Sequence, residues 1–298
     1  MLNAVERQII HYIKELNEPD ILDLYSKLPK GKRLRAKLIL KIAGSSLKVI
    51  KTASIVEMIH GASLLHDDVI DDSDMRRNQP SINALYGNKT AIMFGDILYS
   101  KGFYELNDID KRVAKIISNG VIQLSLGELK DVSLSEKFNT NRDIYLKMIY
   151  QKTASLIEAS SEVASILAGK NPTAYRTYGR NLGLAFQMID DILDITADSK
   201  TLGKPAMHDF VEGKTTLPYI YLFNKLNQDE KLKLKSLHAR AISKDDEMWI
   251  KAKMKEHKII EYSYNEAKVL IDEAISLMES AGEFELSAIA KEMIERDF

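Results

Sequence analysis

The sequence predicts an all-α protein, and three observations support that expectation. Apolar residues mostly recur at three- and four-residue spacing, as in Ile55, Val56, Ile59, Leu64 and Leu65 of the 50–71 stretch. Alternating, strand-like segments are scarce. Prolines number only six, and Pro29, Pro80, Pro172, Pro205 and Pro218 fall where helices should start or stop. Loops are expected near 72–82, 131–142, 169–174 and 196–215. With no Gly/Ser linker, solenoid repeat or low-complexity tract, residues 1–298 are expected to form a single helical domain of about ten or more helices.

Composition narrows the function. Hydrophobic residues at 45% and charged residues at 29% are those of a globular chain, and 298 residues suffice for a sizeable core. The 42 basic and 43 acidic residues nearly cancel, so no global field favours nucleic acid or an anionic membrane. Absence of cysteine excludes disulfides, thiolate catalysis and thiolate-bound metals, and suits a cytoplasmic location. Glu6, Arg7, Lys14 and Glu15 make the amino terminus an amphipathic helix rather than a signal peptide. No apolar run is long enough to span a bilayer, leaving peripheral membrane contact at most.

The decisive features are two aspartate clusters, DDVID (Asp67, Asp68, Asp71) and DDILD (Asp190, Asp191, Asp194). At about 100° per residue, positions i, i+1 and i+4 fall within an arc of roughly 100°. Three like charges on one helical face repel, and helix propensity gives no reason for them. A solvated acidic face is the ordinary explanation of one such motif. Two copies, embedded in the apolar contexts LLHDDVI and FQMIDDILDI, argue against it, because buried carboxylates need partners. All-oxygen donors point to Mg²⁺, with Mn²⁺ the alternative, and magnesium typically bridges one or two carboxylates to substrate phosphates. A diphosphate held between two such faces is the implied ligand. The alternating ligands, central glycine and closing glutamate of an EF-hand are missing.

Cations accompany the carboxylates. GKRLR supplies Lys32 and Arg35, and His60 lies two helical turns before Asp67 on nearly the same face. Arg76 and Arg77 follow the first cluster; Lys152 with Thr153, then Lys204 and Lys214, accompany the second half. Gln187 shares the arc of the second cluster. Arginine forks suit diphosphate oxygens, and lysine acts as a point charge.

In this order GKRLR, HDDVIDDSDMRR, KTASL, FQMIDDILD and LGKPAMHDFVEGK resemble the trans-isoprenyl diphosphate synthases, from residue 31 to Pro218, thinning beyond about residue 225. The resemblance implies a helical bundle of the isoprenoid synthase type with its active-site cavity between helices, and a homodimer. It implies that Lys32, Arg35, His60 and Arg77 hold isopentenyl diphosphate. Asp67, Asp71 and Asp190, with Asp68, Asp191 and Asp194 as direct or supporting partners, would hold two or three magnesium ions on the allylic diphosphate. Arg76, Lys152 and Lys204 would complete that anion cage; Lys214 matches a further family lysine. Thr153 and Gln187 would line the developing carbocation. A terpene cyclase would not need GKRLR, His60 and Arg77, and a silent regulatory subunit would be expected to lose parts of the metal motifs.

Departures from the family pattern are Ala36 for a common proline, Met207 for a common glycine, and Glu128 for the glutamine of short-chain relatives. Ala62 and Ser63, five and four residues before Asp67, are small where short-chain relatives often carry an aromatic floor. Small residues there imply an open tunnel and a long product, such as a quinone side chain. Met58, Ile59 or residues around Val121–Leu126 could close the tunnel lower down.

Overall fold

The computed structural model describes residues 1–196 and 207–294. Its described residues are mainly helical, and they sort into two compact units: Met1–Val121 with Leu156–Arg176, and Ile122–Ser155 with Thr177–Phe298.

In the first unit, α1 (Leu2–Lys14) and α2 (Pro19–Lys27) lead to α3 (Leu34–Ala43) and the long α4 (Leu47–Ile70). The face of α1 carrying Val5, Ile9, Tyr12 and Ile13 is buried, as its amphipathic sequence predicts. Helix α4 starts at Ser46, whose hydroxyl accepts the Val49 N–H, and is apolar nearly all round: Val49, Ile55, Val56, Met58, Ile59, Ala62 and Leu65 are all buried. It packs on α6 (Asn88–Leu106). Small residues let these two helices approach: a Cβ on Gly102 would meet Ile59 at 3.3 Å, and one on Gly95 would overlap the His66 ring. Also buried on α6, Lys101 reaches Glu105 at 2.6 Å and Glu15 of the following turn of chain after α1 at 2.7 Å.

The segment 72–82 was expected to be loop, yet it contains a two-stranded hairpin, β1 (Met75–Arg76) and β2 (Gln79–Pro80). Arg77 and Asn78 both have positive φ, the backbone a tight two-residue hairpin turn requires. Two paired residues per strand are too few to give an alternating signal in the sequence. A short α5 (Ile82–Tyr86), capped by Ser81, joins the hairpin to α6. Helix α7 (Lys111–Ser135) runs further than expected and shortens the predicted 131–142 loop to residues 136–141.

The second unit takes residues 122–135 of α7, then α8 (Arg142–Ile149) and a π-helical turn, Tyr150–Ala154, that leads into α9 (Ser155–Leu167). It also takes α10 (Pro172–Thr196) from Thr177 onward. After the undescribed residues come α11 (His208–Val211), α12 (Leu217–Lys225), α13 (Gln228–Leu237), α14 (Lys244–Glu256), α15 (Ile259–Ser280) and α16 (Phe284–Ile294). The charged carboxy-terminal third, silent as to chemistry in the sequence, supplies core: Leu226, Leu234, Ile250, Met254 and Ile259 pack with Ile195, Met207, Phe210 and Tyr219. Phe210 and Tyr219 stack at 4.2 Å. The Tyr178 hydroxyl donates to the Leu286 carbonyl at 2.9 Å, tying α10 to α16. That third of the chain is the support on which α10 rests.

Candidate active site

Asp67, Asp68 and Asp71 occupy the last turn and C-cap of α4. Asp68 is buried, and Arg76 Nε donates to its Oδ1 at 2.6 Å while Arg76 Nη2 reaches Asp67 Oδ2 at 3.1 Å. Burial raises the Asp68 carboxyl pKa despite that pairing. The hairpin thus turns Arg76 back onto the aspartates. Asp67 and Asp71 are half-buried.

Arg77 leaves the turn in another direction. Its guanidinium donates to the Pro29 carbonyl at 2.7 Å and lies where a Cβ on Gly31 would stand, so the chain around GKRLR and Arg77 come together through the absence of a side chain at Gly31. Lys32 is exposed. Arg35 is half-buried, with its Nε sealed from solvent and without a hydrogen-bond partner among the described residues. Burial, with repulsion from Arg77, pushes its pKa down to about 10 against the attraction of Glu57. His60 has the same character: its Nδ1 is buried without a partner among the described residues. Burial, then the cations Arg35, Arg77 and Arg76, hold its pKa well below 6.5, so the ring is neutral. A region this cationic, with buried donors unmade, is suited to an anion rich in acceptor oxygens.

The neutral His60 has a consequence for stability. Below pH 6.5, the ordinary histidine value, the unfolded chain takes up a proton that the folded chain refuses. The contribution is therefore intact above that pH and lost as pH falls. Melting temperature measured from about pH 5 to 7.5 should fall on the acid side, less steeply in His60→Gln. A wild-type-to-variant difference independent of pH would contradict the neutral buried ring.

In the second unit, the motif on α10 divides in the same way. Asp191 is buried: Tyr145 Oη donates to its Oδ2 at 2.6 Å, and Gln187 Nε2 to its Oδ1 at 2.9 Å. Burial, with repulsion from Asp209, holds its pKa well above the ordinary value despite both donors. Gln187 Oε1 in turn accepts the Thr153 hydroxyl at 2.8 Å. Thr153, Gln187, Asp191 and Tyr145 therefore form one chain of hydrogen bonds, which brings together the two polar residues expected to line the cation. Asp194 is also buried, and its Oδ2 accepts the Asp209 N–H at 3.2 Å. Asp190 is half-exposed.

Lys152 and Thr153 sit in the π-helical turn, a wide turn that often marks functional positions. Lys152 Nζ is held by Asp131 at 2.6 Å and Glu128 at 3.0 Å, both on α7. Gly127, also on α7, lies against this turn: a Cβ there would overlap the backbone of Gln151 and Lys152. Gly127→Ala is expected to destabilise the fold by about 1–3 kcal/mol and to lower turnover about tenfold or more. Thermal melts and steady-state rates check this; normal values for both would show that α7 and the π-turn do not need the contact.

Lys214 pairs with Glu212 at 3.1 Å, and Lys204 lies outside the described residues. Met207, one of the departures noted from the family pattern, has φ 59°. Its N–H donates to the Asp194 carbonyl at 2.7 Å, and its side chain is fully buried. The position is left-handed, which costs a side-chain-bearing residue roughly 1–2 kcal/mol and would suit the glycine that the family resemblance implies there. Burial of the Met207 side chain offsets that cost here.

Among the described residues, no three His, Asp or Glu side chains already converge to enclose a metal. Any cation would complete its shell with water and substrate oxygens, the ordinary state of magnesium. The carboxylates of Asp67, Asp71 and Asp190 fit such a hard ion, since they are half-exposed oxygen donors standing beside buried, hydrogen-bonded neighbours. Tyr145, Glu57 and Asp131 are contributors the sequence reading does not name, and Glu128 enters it only as a departure from the family pattern; nothing local in the sequence marks Tyr145 or Glu57.

The polyprenyl synthetase family model matches residues 18–254. Octaprenyl diphosphate synthase of Haemophilus influenzae is 35% identical over 264 residues, 86% of this chain and 80% of that protein. The crystal structure of octaprenyl pyrophosphate synthase from Helicobacter pylori superposes with a TM-score of 0.94 at 43% identity, covering 99% of this chain and 98% of that one. A polyprenyl synthase from Caulobacter crescentus, complexed with calcium and isoprenyl diphosphate, gives 0.89 at 29% identity over 99% and 94% of the two chains. On these grounds the chain belongs to the polyprenyl synthetase family and is a prenyltransferase that makes all-trans polyprenyl diphosphates.

Proposed function

We propose that the chain joins isopentenyl diphosphate to an allylic diphosphate such as farnesyl diphosphate, in a magnesium-dependent, head-to-tail elongation. The product is a chain of about six to eight isoprene units destined for a quinone side chain. The carrying observation is the split within the two aspartate motifs. Each motif sets a buried, hydrogen-bonded aspartate, Asp68 or Asp191, beside half-exposed carboxylates, and of these Asp67, Asp71 and Asp190 would serve as ligands for two or three ions on the allylic diphosphate.

Bound magnesium would neutralise charge on the departing diphosphate. The chain's own cations do related work: Arg76, Lys152 and Lys204 attract the allylic diphosphate, and Lys214 lies in the same stretch. Lys32, Arg35, neutral His60 and Arg77 hold isopentenyl diphosphate. The Thr153 and Gln187 oxygens lie near the developing allylic cation, and the apolar helix faces keep water from it. The proton lost from the adduct goes to the released diphosphate, so no protein nucleophile or base is needed.

The chain works as a single catalytic domain and a homodimer in the cytoplasm. Exposed apolar side chains support partner contacts in each unit taken by itself: Ile92, Met93 and Tyr104 on α6 of the first, and Ile122, Leu126 and Leu129 on α7 of the second. No described helix is long and apolar enough to cross a membrane. The test is incubation with Mg²⁺, farnesyl diphosphate and labelled isopentenyl diphosphate, with products separated by length. A ladder ending at six to eight units is expected, on the order set by an open floor. A stop near four would make this a geranylgeranyl-length enzyme, and no incorporation with any allylic primer would favour a regulatory subunit.

A further inference from the structure

Glu57 lies on α4 nearly one turn before His60, and the chemistry above does not use it. Its Oε1 accepts the backbone N–H of Ala36 at 3.0 Å. Ala36 is the third residue of α3, and the first N–H groups of a helix have no partner within it. The residue preceding α3 cannot supply one: Arg33 has φ 52°, makes no side-chain cap, and turns its guanidinium to Glu6. The N-terminal cap of α3 therefore comes from a different helix. Arg35 is the second residue of α3 and Lys32 stands just before it, so the place of both depends on where α3 is made to start. Glu57 is also set among cations, with Arg35, Arg33 and Arg77 all acting on it while burial raises its pKa.

We propose that Glu57 is a positioning residue that caps α3 from α4 and so fixes Arg35 and Lys32 for the diphosphate of isopentenyl diphosphate. The inference rests on the assignment of that basic cluster given under the proposed function. Two properties of Glu57 can be separated. Glutamine keeps the length and the acceptor oxygen but loses the charge. Aspartate keeps the charge but is one methylene too short to cap Ala36 from the same backbone.

The experiment measures KM for each substrate in the full-length Glu57→Asp, Glu57→Gln and Arg35→Met proteins, together with melting temperatures. Capping predicts that Glu57→Asp raises KM for isopentenyl diphosphate about tenfold, with KM for the allylic diphosphate nearly unchanged, and that Glu57→Gln restores wild-type values. If Glu57→Gln is impaired as much as Glu57→Asp, an acceptor oxygen at full side-chain length does not suffice to place the basic residues, and the inference is wrong. It is equally wrong if both variants only lower the melting temperature without separating the two KM values. A raised KM in Arg35→Met beside a normal Glu57→Asp would overturn the capping role alone. An unchanged KM in Arg35→Met would overturn the assignment of the cluster, and this inference with it.

Discussion

Replacing Asp190 with alanine is expected to lower turnover about 10³-fold while moving the melting temperature by no more than about 2 °C. The half-exposed Asp190 carboxylate gives up little packing when it is removed. Asp67→Ala should behave alike, the Arg76 fork keeping its 2.6 Å bond to Asp68. Asp191→Ala should differ in kind. It leaves the buried Tyr145 hydroxyl and the Gln187 amide without their acceptor, which costs about 1–3 kcal/mol of stability in addition to activity. Rates and melts of the three variants check this. Near-normal turnover in both Asp67→Ala and Asp190→Ala would overturn the metal assignment.

Ser63→Phe is expected to shorten the product by about two or more isoprene units, read directly from the distribution of labelled chains. The choice of Ser63 over Ala62 follows from packing. Ala62 is fully buried, so an aromatic there would overpack the core, at about 1–3 kcal/mol or more. Ser63 is half-buried, and its hydroxyl only returns to the His60 carbonyl at 2.8 Å, a bond the helix does not need. Phenylalanine can therefore replace it with the helix intact. An unchanged product distribution would remove Ser63 from the control of length and direct attention to Ile59, which packs on Gly102, or to Val121 and Leu124.

The helical class was legible because period and proline placement are local properties, and the aspartate motifs because i, i+1 and i+4 spacing is fixed by helix geometry. What the sequence hid was set by distant partners. Asp68 and Asp191 are the same residue type as Asp67 and Asp190, and it is burial, with Tyr145 and Gln187 on Asp191, that tells them apart. Tyr145 lies 46 residues from Asp191, with no local pattern linking them. Glu57 reads as one polar residue on an apolar helix until Ala36 is seen to donate to it. The hairpin was missed because two residues per strand leave no period to detect, and the left-handed backbone at Met207 is visible only in its φ.

The π-turn at Tyr150–Ala154 acts as a phase offset in an otherwise continuous helical run from Arg142 to Leu167. It holds one residue more than an α-helical turn would, so the residues on either side are displaced by about 100° around the axis. Loss of a single residue within the turn would let it relax to regular α-helix and turn the buried Tyr145 about the helix axis, away from the Asp191 carboxylate it bonds. This stretch is therefore one where evolution can exchange residues but cannot readily change their number.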